Sequence, residues 1–262
     1  MRLSEKYAHG GEAPIVYNPN FGKLMGSNTL QRVSTGVTMK GISACVFDAY
    51  GTLFDFSSAV RNYPLDGSEH QKSELIKLWR DKQIQYTWLR TIQNRYSDFW
   101  SVTSDALEYA LASLRFDPKH HKGLMELYLK LEPFPEVTAV LQTLKQNGYQ
   151  LVVLSNGTQD MLRRIIEHAQ LNKMFDHVLS ADDIGVFKTS PKVYQYALDV
   201  LKLPAEACSF QSSNAWDAFA ASDFGMKVVW CNRYGQTPER LPGKPDYEIQ
   251  TLEALPHLLS QL

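Results

Sequence analysis

Ile42-Ser43-Ala44-Cys45-Val46-Phe47-Asp48-Ala49-Tyr50-Gly51-Thr52-Leu53-Phe54-Asp55 is the stretch that decides the fold. Ile42 to Phe47 is short and largely apolar, and its length suits a fully buried strand. Asp48 follows at once, and Gly51 permits a tight exit turn. A carboxylate at the carboxyl end of a buried parallel strand stands where open α/β sheets bind their ligands. There it can act as a nucleophile and form an ester that a later step must break. A strand-ending Asp that only hydrogen-bonds its own turn is the competing explanation for any one such residue.

Further along, apolar runs at 151–154, 177–180, 208–211 and 228–231 read as strands. Helical spacing fills 161–169, 193–201 and 215–224 between them. This alternation predicts an α/β fold with a doubly wound parallel sheet. The segment from about 57 to 131 has no strand pattern. Leu75, Leu78, Trp79, Tyr86, Leu89 and Ile92 recur at helical spacing, and 106–114 and 124–131 mark two more helices. They are expected to pack as a small bundle. Pro133-Phe134-Pro135 closes this insert, and Gly148 is placed to cap a helix in the left-handed conformation. The expected division is an extended or poorly ordered arm at 1–40, a core domain at 41–56 and 132–262, and a helical cap at 57–131. The arm lacks the continuous apolar stretch of a secretory signal.

A net charge of -1 over 262 residues gives no bias toward nucleic acid or a membrane surface. No apolar run reaches the length of a bilayer span. Cys45, Cys208 and Cys231 are odd in number and far apart, so they read as buried thiols in a reducing, cytoplasmic compartment. Neither they nor His120-His121 have metal-ligand spacing.

Four clusters carry further polar chemistry. Ser155-Asn156-Gly157-Thr158 follows a strand and precedes a helix, which suits either anion binding or ordinary capping. Lys188 lies in the loop Gly185-Val186-Phe187-Lys188-Thr189-Ser190-Pro191, where Ser190 and Pro191 are expected to start the next helix. Ser212-Ser213-Asn214-Ala215-Trp216-Asp217 follows another strand. Trp79-Arg80-Asp81-Lys82-Gln83 lies on the insert's first long helix. Alone, a loop Lys is usually solvated, a helix Arg usually surface, and Tyr194 or Trp216 a core aromatic.

In order and spacing, these strings resemble the motifs of the haloacid dehalogenase superfamily, in the form of its L-2-haloacid dehalogenases. The resemblance covers essentially everything from Ile42 onward. It implies that Asp48 is the nucleophile, supported by Thr52 and Lys188. It implies that Ser155 and backbone N–H groups including Ala49 hold a substrate carboxylate, while Arg80 and Asn156 receive a leaving halide. Ser212, Asn214 and Asp217 would orient a water, and Tyr194 would complete the catalytic set. Tyr50, Ile84, Phe99 and Trp216 would line an apolar pocket. The implied reaction is hydrolysis of short L-2-haloacids to D-2-hydroxy acids through an aspartyl ester, with no cofactor and no metal. The resemblance also allows a homodimer.

Phosphatases of the superfamily carry a carboxylate where this chain has Tyr50, and an acidic pair where it has Ser212 and Ser213. A phenol and two hydroxyls make a poor shell for a divalent ion. Three positions depart from the dehalogenases themselves. Asp81 stands where Gln is usual, and a carboxylate there would pair with Arg80 and weaken its pull on an anion. Thr189-Ser190 replaces Pro-Asp. The alternatives are a magnesium-dependent phosphatase, a related hydrolase opening a cyclic imino acid ring, and a non-enzymatic binding protein.

Overall fold

The computed structural model describes residues 39–260. The expected N-terminal arm at 1–40 lies outside the described residues except for its last two. The first strand, β1 (Ala44–Phe47), ends just before Asp48. A two-residue strand β2 (Phe54–Asp55) leads to a single helical turn, α1 (Ser58–Arg61). Then come α2 (Glu69–Ile92), α3 (Phe99–Ser113) and α4 (His120–Tyr128). Strand β3 (Glu132–Pro133) and helix α5 (Val137–Gln146) return the chain to the sheet.

The rest alternates as expected. It runs through β4 (Gln150–Ser155), α6 (Gln159–His168), β5 (His177–Ser180), α7 (Pro191–Leu201), β6 (Cys208–Ser212), α8 (Ala215–Phe224) and β7 (Lys227–Cys231). It closes with β8 (Tyr247–Ile249) and α9 (Leu255–Ser260).

Six strands form one parallel sheet in the order β5-β4-β1-β6-β7-β8. The chain steps from β1 out through β4 to β5, then crosses back to β6 on the other side. The order therefore reverses at β1, and the crevice at that switch point opens beside Asp48. Side chains alternate between two buried faces. Cys45, Phe47, Leu151 and Val153 pack into one apolar layer, which continues into Leu75, Trp79 and Phe99 of the insert. Ala44, Val46, Val152, Leu154 and Phe210 pack into the other, against α7 and α8.

Within the insert, α2 starts at a reciprocal capping box. Ser68 accepts from the Gln71 backbone, and the Gln71 side chain accepts from the Ser68 backbone. Trp79, Gln83, Ile84 and Thr87 face inward, whereas Leu89 and Ile92 are exposed. The insert leaves and rejoins the core through β2 and β3, which pair antiparallel with Phe54 opposite Pro133. Pro133, expected to close the insert, does so from within a strand, because a two-strand ribbon tolerates its missing N–H.

Gly148 does adopt a left-handed φ, +84°, after α5. The sixth strand β8 has no counterpart in the sequence reading. Its connection from β7 carries Gly243 at φ +87°, where a Cβ would lie 2.2 Å from the Phe219 carbonyl of α8. Among the described residues no helix is long and apolar enough to cross a membrane.

Candidate active site

Asp48 keeps the strand pairing to its last residue, its N–H donating to the Gln211 carbonyl at 2.9 Å. The chain then turns sharply. Gly51, at φ +88°, donates to Phe54 O, and Leu53 and Phe54 both donate to Ala49 O. This turn folds Thr52 back so that its hydroxyl donates to Asp48 Oδ2 at 3.0 Å. The same Thr52 oxygen accepts from the Ser213 N–H at 2.8 Å, which ties the β1 turn to the β6 turn.

Donors surround both Asp48 oxygens. Oδ2 also accepts from Asn214 Nδ2 at 2.8 Å and from Ser212 Oγ at 3.5 Å. Oδ1 accepts from Lys188 Nζ at 3.1 Å. A side chain that accepts from every neighbour and donates to none fits a carboxylate and not an amide.

Lys188 is buried, although its loop position suggested solvation. Its ammonium bridges Asp48 Oδ1 and Asp217 Oδ2, the latter at 2.8 Å. Burial alone would lower its pKa, but Asp217 and Asp48 outweigh that and raise it. Asp217 is fully buried, and its pKa is also raised. The cause is burial first, which Lys188 opposes and Asp48 reinforces. Both directions follow from one cation shared by two buried carboxylates. The other Asp217 oxygen accepts from the Tyr194 hydroxyl at 2.7 Å. Burial and Asp217 push that phenol well above its ordinary value, so it stays a donor.

This donor set bears on metal chemistry. An ion bridging Asp48 and Asp217 would have to displace the Lys188 ammonium. The next residues, Tyr50, Ser212 and Ser213, add no carboxylate. Among the described residues no group of three or more His, Cys, Asp or Glu could hold a metal.

The structure brings Arg80 of α2 into the same constellation. Nη2 donates to Asn214 Oδ1 at 3.2 Å and reaches the Tyr50 carbonyl at 3.4 Å. Asn214 thus joins the guanidinium to Asp48, one end of its amide facing each. Asp81 is exposed and takes none of the hydrogen bonds that Arg80 makes. The expected pairing is therefore absent, because successive helix residues point in different directions. The acceptor is instead Gln83, one turn on, at 2.6 Å from Nη1. Sequence reasoning missed Gln83 and its partners Thr103 and Tyr128; the i, i+3 spacing from Arg80 was the signal that could have found Gln83.

At the end of β4, Ser155 is buried and its Oγ accepts from the Gly157 N–H at 3.2 Å. Asn156 Oδ1 accepts from the Lys188 N–H at 2.9 Å, which turns its Nδ2 donors elsewhere. Thr158 is the residue that caps α6, accepting from the Met161 N–H. Ser190 does occupy the position before α7 with Pro191 next, but its side chain makes no capping bond.

The apolar wall is divided. The Tyr50 ring lies between Tyr128 and Phe99, with centroids 5.3 and 5.7 Å away. Phe99 in turn meets Phe187, the neighbour of Lys188. Trp216 is half-buried and packs edge-on against Trp88 of α2. Ile84 is buried on α2. None of Ile84, Phe99 and Trp216 lines the small recess beside Arg80, whose walls are Phe56, Val60, Ile76, Trp79, Gln83 and Tyr128.

Tyr50 depends on a glycine. A Cβ on Gly157 would lie 2.8 Å from the Tyr50 hydroxyl oxygen and 2.9 Å from Cε2. Gly157→Ala is therefore expected to push the ring toward Phe99 and Tyr128, at a cost of about 1–3 kcal/mol from overpacking. Urea unfolding measures that cost, and an unchanged midpoint would show that Tyr50 is not held against this loop.

Comparison with known proteins gives a consistent result. A family model described as haloacid dehalogenase-like hydrolase matches residues 42–225. The chain is 40% identical over 229 residues to (S)-2-haloacid dehalogenase 1 of Pseudomonas sp. (strain CBS-3), covering 86% of this chain and 99% of that protein. It is 35% identical over 228 residues to haloacetate dehalogenase H-2 of Moraxella sp. (strain B), covering 85% and 100%. The solved structure of the L-2-haloacid dehalogenase from Xanthobacter autotrophicus with chloropropionic acid covalently bound superposes with a TM-score of 0.77. It is 33% identical, over 84% of this chain and 99% of that one.

Proposed function

The chain belongs to the haloacid dehalogenase-like hydrolases, and from that premise we propose that it hydrolyses short L-2-haloacids to D-2-hydroxy acids. The observation that carries this reading is the acceptor-only carboxylate of Asp48, joined through Asn214 to the guanidinium of Arg80. A nucleophile and a cation for the leaving group are thereby held on opposite sides of one amide.

In the first step Asp48 attacks C2 of the haloacid from the side opposite the halogen. Oδ2 is held by Thr52, Asn214 and Ser212, whereas among the described residues Oδ1 meets only Lys188, so Oδ1 keeps the freer lone pairs. A C–O bond forms, the carbon–halogen bond breaks, and C2 inverts. Arg80, with Asn156 Nδ2, stabilises the halide as its charge develops. Losing one such donor typically costs about 2.7–4 kcal/mol of barrier. Ser155 and the backbone N–H groups near Ala49 hold the substrate carboxylate.

In the second step water attacks Cγ of the Asp48 ester. Asp217 takes a proton from that water and passes it to the alkoxide oxygen of the product as it leaves, and the water's second proton is released as the Asp48 carboxylate re-forms. The balance is one haloacid and one water to one hydroxy acid, one halide and one proton. Esterification removes the Asp48 charge, so Lys188 then answers to Asp217 alone. Tyr194 keeps Asp217 oriented. The Tyr50 ring, packed between Phe99 and Tyr128, and the apolar recess beside Arg80 keep water away, which strengthens each of these charge interactions. The helices between 58 and 128 act as the cap that carries Arg80 to the core. The three buried thiols suit a reducing cytoplasm.

Single turnover of L-2-chloropropionate in heavy-oxygen water tests the sequence of steps. The label is expected first in the Asp48 carboxylate, with chelator present and chloride released. Label appearing directly in lactate would end the nucleophile assignment. Phosphate-ester hydrolysis that needs added magnesium, without halide release, would instead favour a phosphatase.

A further inference from the structure

We infer that Gln83 is a positioning residue that fixes the guanidinium of Arg80 on the leaving halide, and that Thr103 sets the direction of its amide. The inference rests on the dehalogenase reading and deepens it by naming what aims Arg80. Gln83 is buried on α2, one turn beyond Arg80, and its Oε1 accepts from Arg80 Nη1 at 2.6 Å. Its Nε2 donates to Thr103 Oγ1 at 2.7 Å and to the Tyr128 hydroxyl at 3.0 Å. Thr103 in turn donates to the Phe99 carbonyl at 2.6 Å.

The chain of bonds can run in one direction only. A guanidinium has donors and no acceptor, and a backbone carbonyl has acceptors and no donor. With those two ends fixed, the Gln83 amide oxygen must face Arg80 and its nitrogen must face Thr103. The chain also crosses from α2 to α3, and Tyr128 adds α4, so three helices of the insert hold one guanidinium. With Nη1 held by Gln83 and Nη2 by Asn214 and the Tyr50 carbonyl, the plane of the guanidinium is set before substrate arrives. A group so fixed contributes to the transition state without reorganising during the reaction.

Glutamate is the informative replacement. Gln83→Glu keeps the shape but places a negative charge on Nη1, which competes with the halide for the same cation. It also removes the donor to Thr103. Gln83→Met keeps the length and removes the acceptor, so the guanidinium can rotate. Chloride is a poorer leaving group than bromide and relies more on an external cation as the carbon–halogen bond breaks. A weakened or misdirected Arg80 should therefore slow the chloro substrate more than the bromo substrate, whereas a general loosening should slow both alike.

The experiment is the single-turnover halide burst of wild type, Gln83→Glu and Gln83→Met with 2-chloropropionate and 2-bromopropionate. Circular dichroism melts check the fold of each variant. The expected result is a chloride burst slowed by at least ~10-fold in Gln83→Glu. The bromide-to-chloride rate ratio should rise by at least ~3-fold in both variants. Equal slowing of the two substrates, or bursts unchanged from wild type, would overturn the inference. If both variants fail to fold, Thr103→Val removes the far acceptor while leaving Gln83 in place, and the same rise in the ratio is expected; an unchanged ratio would overturn it. Failure of the dehalogenase reading itself looks different, because wild type would then release no halide from either substrate.

Discussion

Asp48→Asn is expected to abolish halide release, lowering kcat by at least ~10⁴-fold, on the scale seen when an enzyme loses its nucleophile. The amide is a poor nucleophile toward carbon, and the carboxylate that shares Lys188 with it, Asp217, cannot take its place. Asp217 is fully buried and engaged on both oxygens by Lys188 and Tyr194. The variant should also lose stability. Asp48 receives Lys188 on one oxygen and Thr52, Asn214 and Ser212 on the other. An amide must turn its NH₂ toward one of these sides, so a donor meets a donor whichever way it flips. Leaving such a buried group unpaired costs about 1–3 kcal/mol. Single-turnover halide assay and urea unfolding measure the two effects separately. A folded Asp48→Asn that still gives a stoichiometric halide burst would remove Asp48 from the chemistry.

Much of this arrangement was legible in the chain because it is local. The run ending at Phe47, the Gly51 turn and the alternation of strands and helices are short-range signals, and they placed Asp48, Ser155, Lys188 and Ser212 at strand ends or in the loops beside them. What was not legible depends on long-range geometry. Only the family resemblance assigns Lys188 to the site, since nothing nearby in sequence shows that Asp48 and Asp217 converge on its ammonium from 140 and 29 residues away. Adjacency in sequence makes Asp81 the expected partner for Arg80, but adjacent helix residues diverge and Gln83 takes the bond. Strand β8 was missed because it has three residues and is reached through a loop, so neither alternation nor a crossover helix marks it. The pairing of β2 with β3 brings Phe54 to Pro133. A sequence pattern cannot register a contact between two segments that short and that far apart.

Lys188→Met should be the most destabilising single change at the site, and its effect should depend on pH. Methionine matches the length and the apolar stem but leaves Asp48 and Asp217 facing each other in a buried space without a cation. Breaking a buried ion pair from one side costs about 3–5 kcal/mol. Turnover should fall by at least ~10²-fold, because the freer Asp48 oxygen loses its Lys188 donor. The Lys188 main-chain N–H donates to Asn156 whatever the side chain, so the halide-side amide keeps its anchor.

The pH dependence follows from the directions of the two shifts. Lys188 is raised above its ordinary 10.5, so its stabilisation is complete below that value and is lost only as alkaline pH passes through its still higher folded value. It does not vary near neutrality. Asp217 is raised above 3.8 by burial, so its contribution is complete below 3.8 and is lost as pH rises through its folded value. Deleting the ammonium removes the largest influence holding Asp217 down and leaves the Tyr194 hydrogen bond, while burial and Asp48 still push it up. Its folded value must climb, and the window over which acid favours the folded state widens upward. The deficit of Lys188→Met relative to wild type is thus expected to be largest at pH 7.5 and smaller at pH 5, where a proton on Asp217 offsets the missing ammonium. Urea midpoints of both proteins at the two pH values measure it. A deficit that is the same at both, or that grows on acidification, would mean that Lys188 does not hold the two carboxylates together.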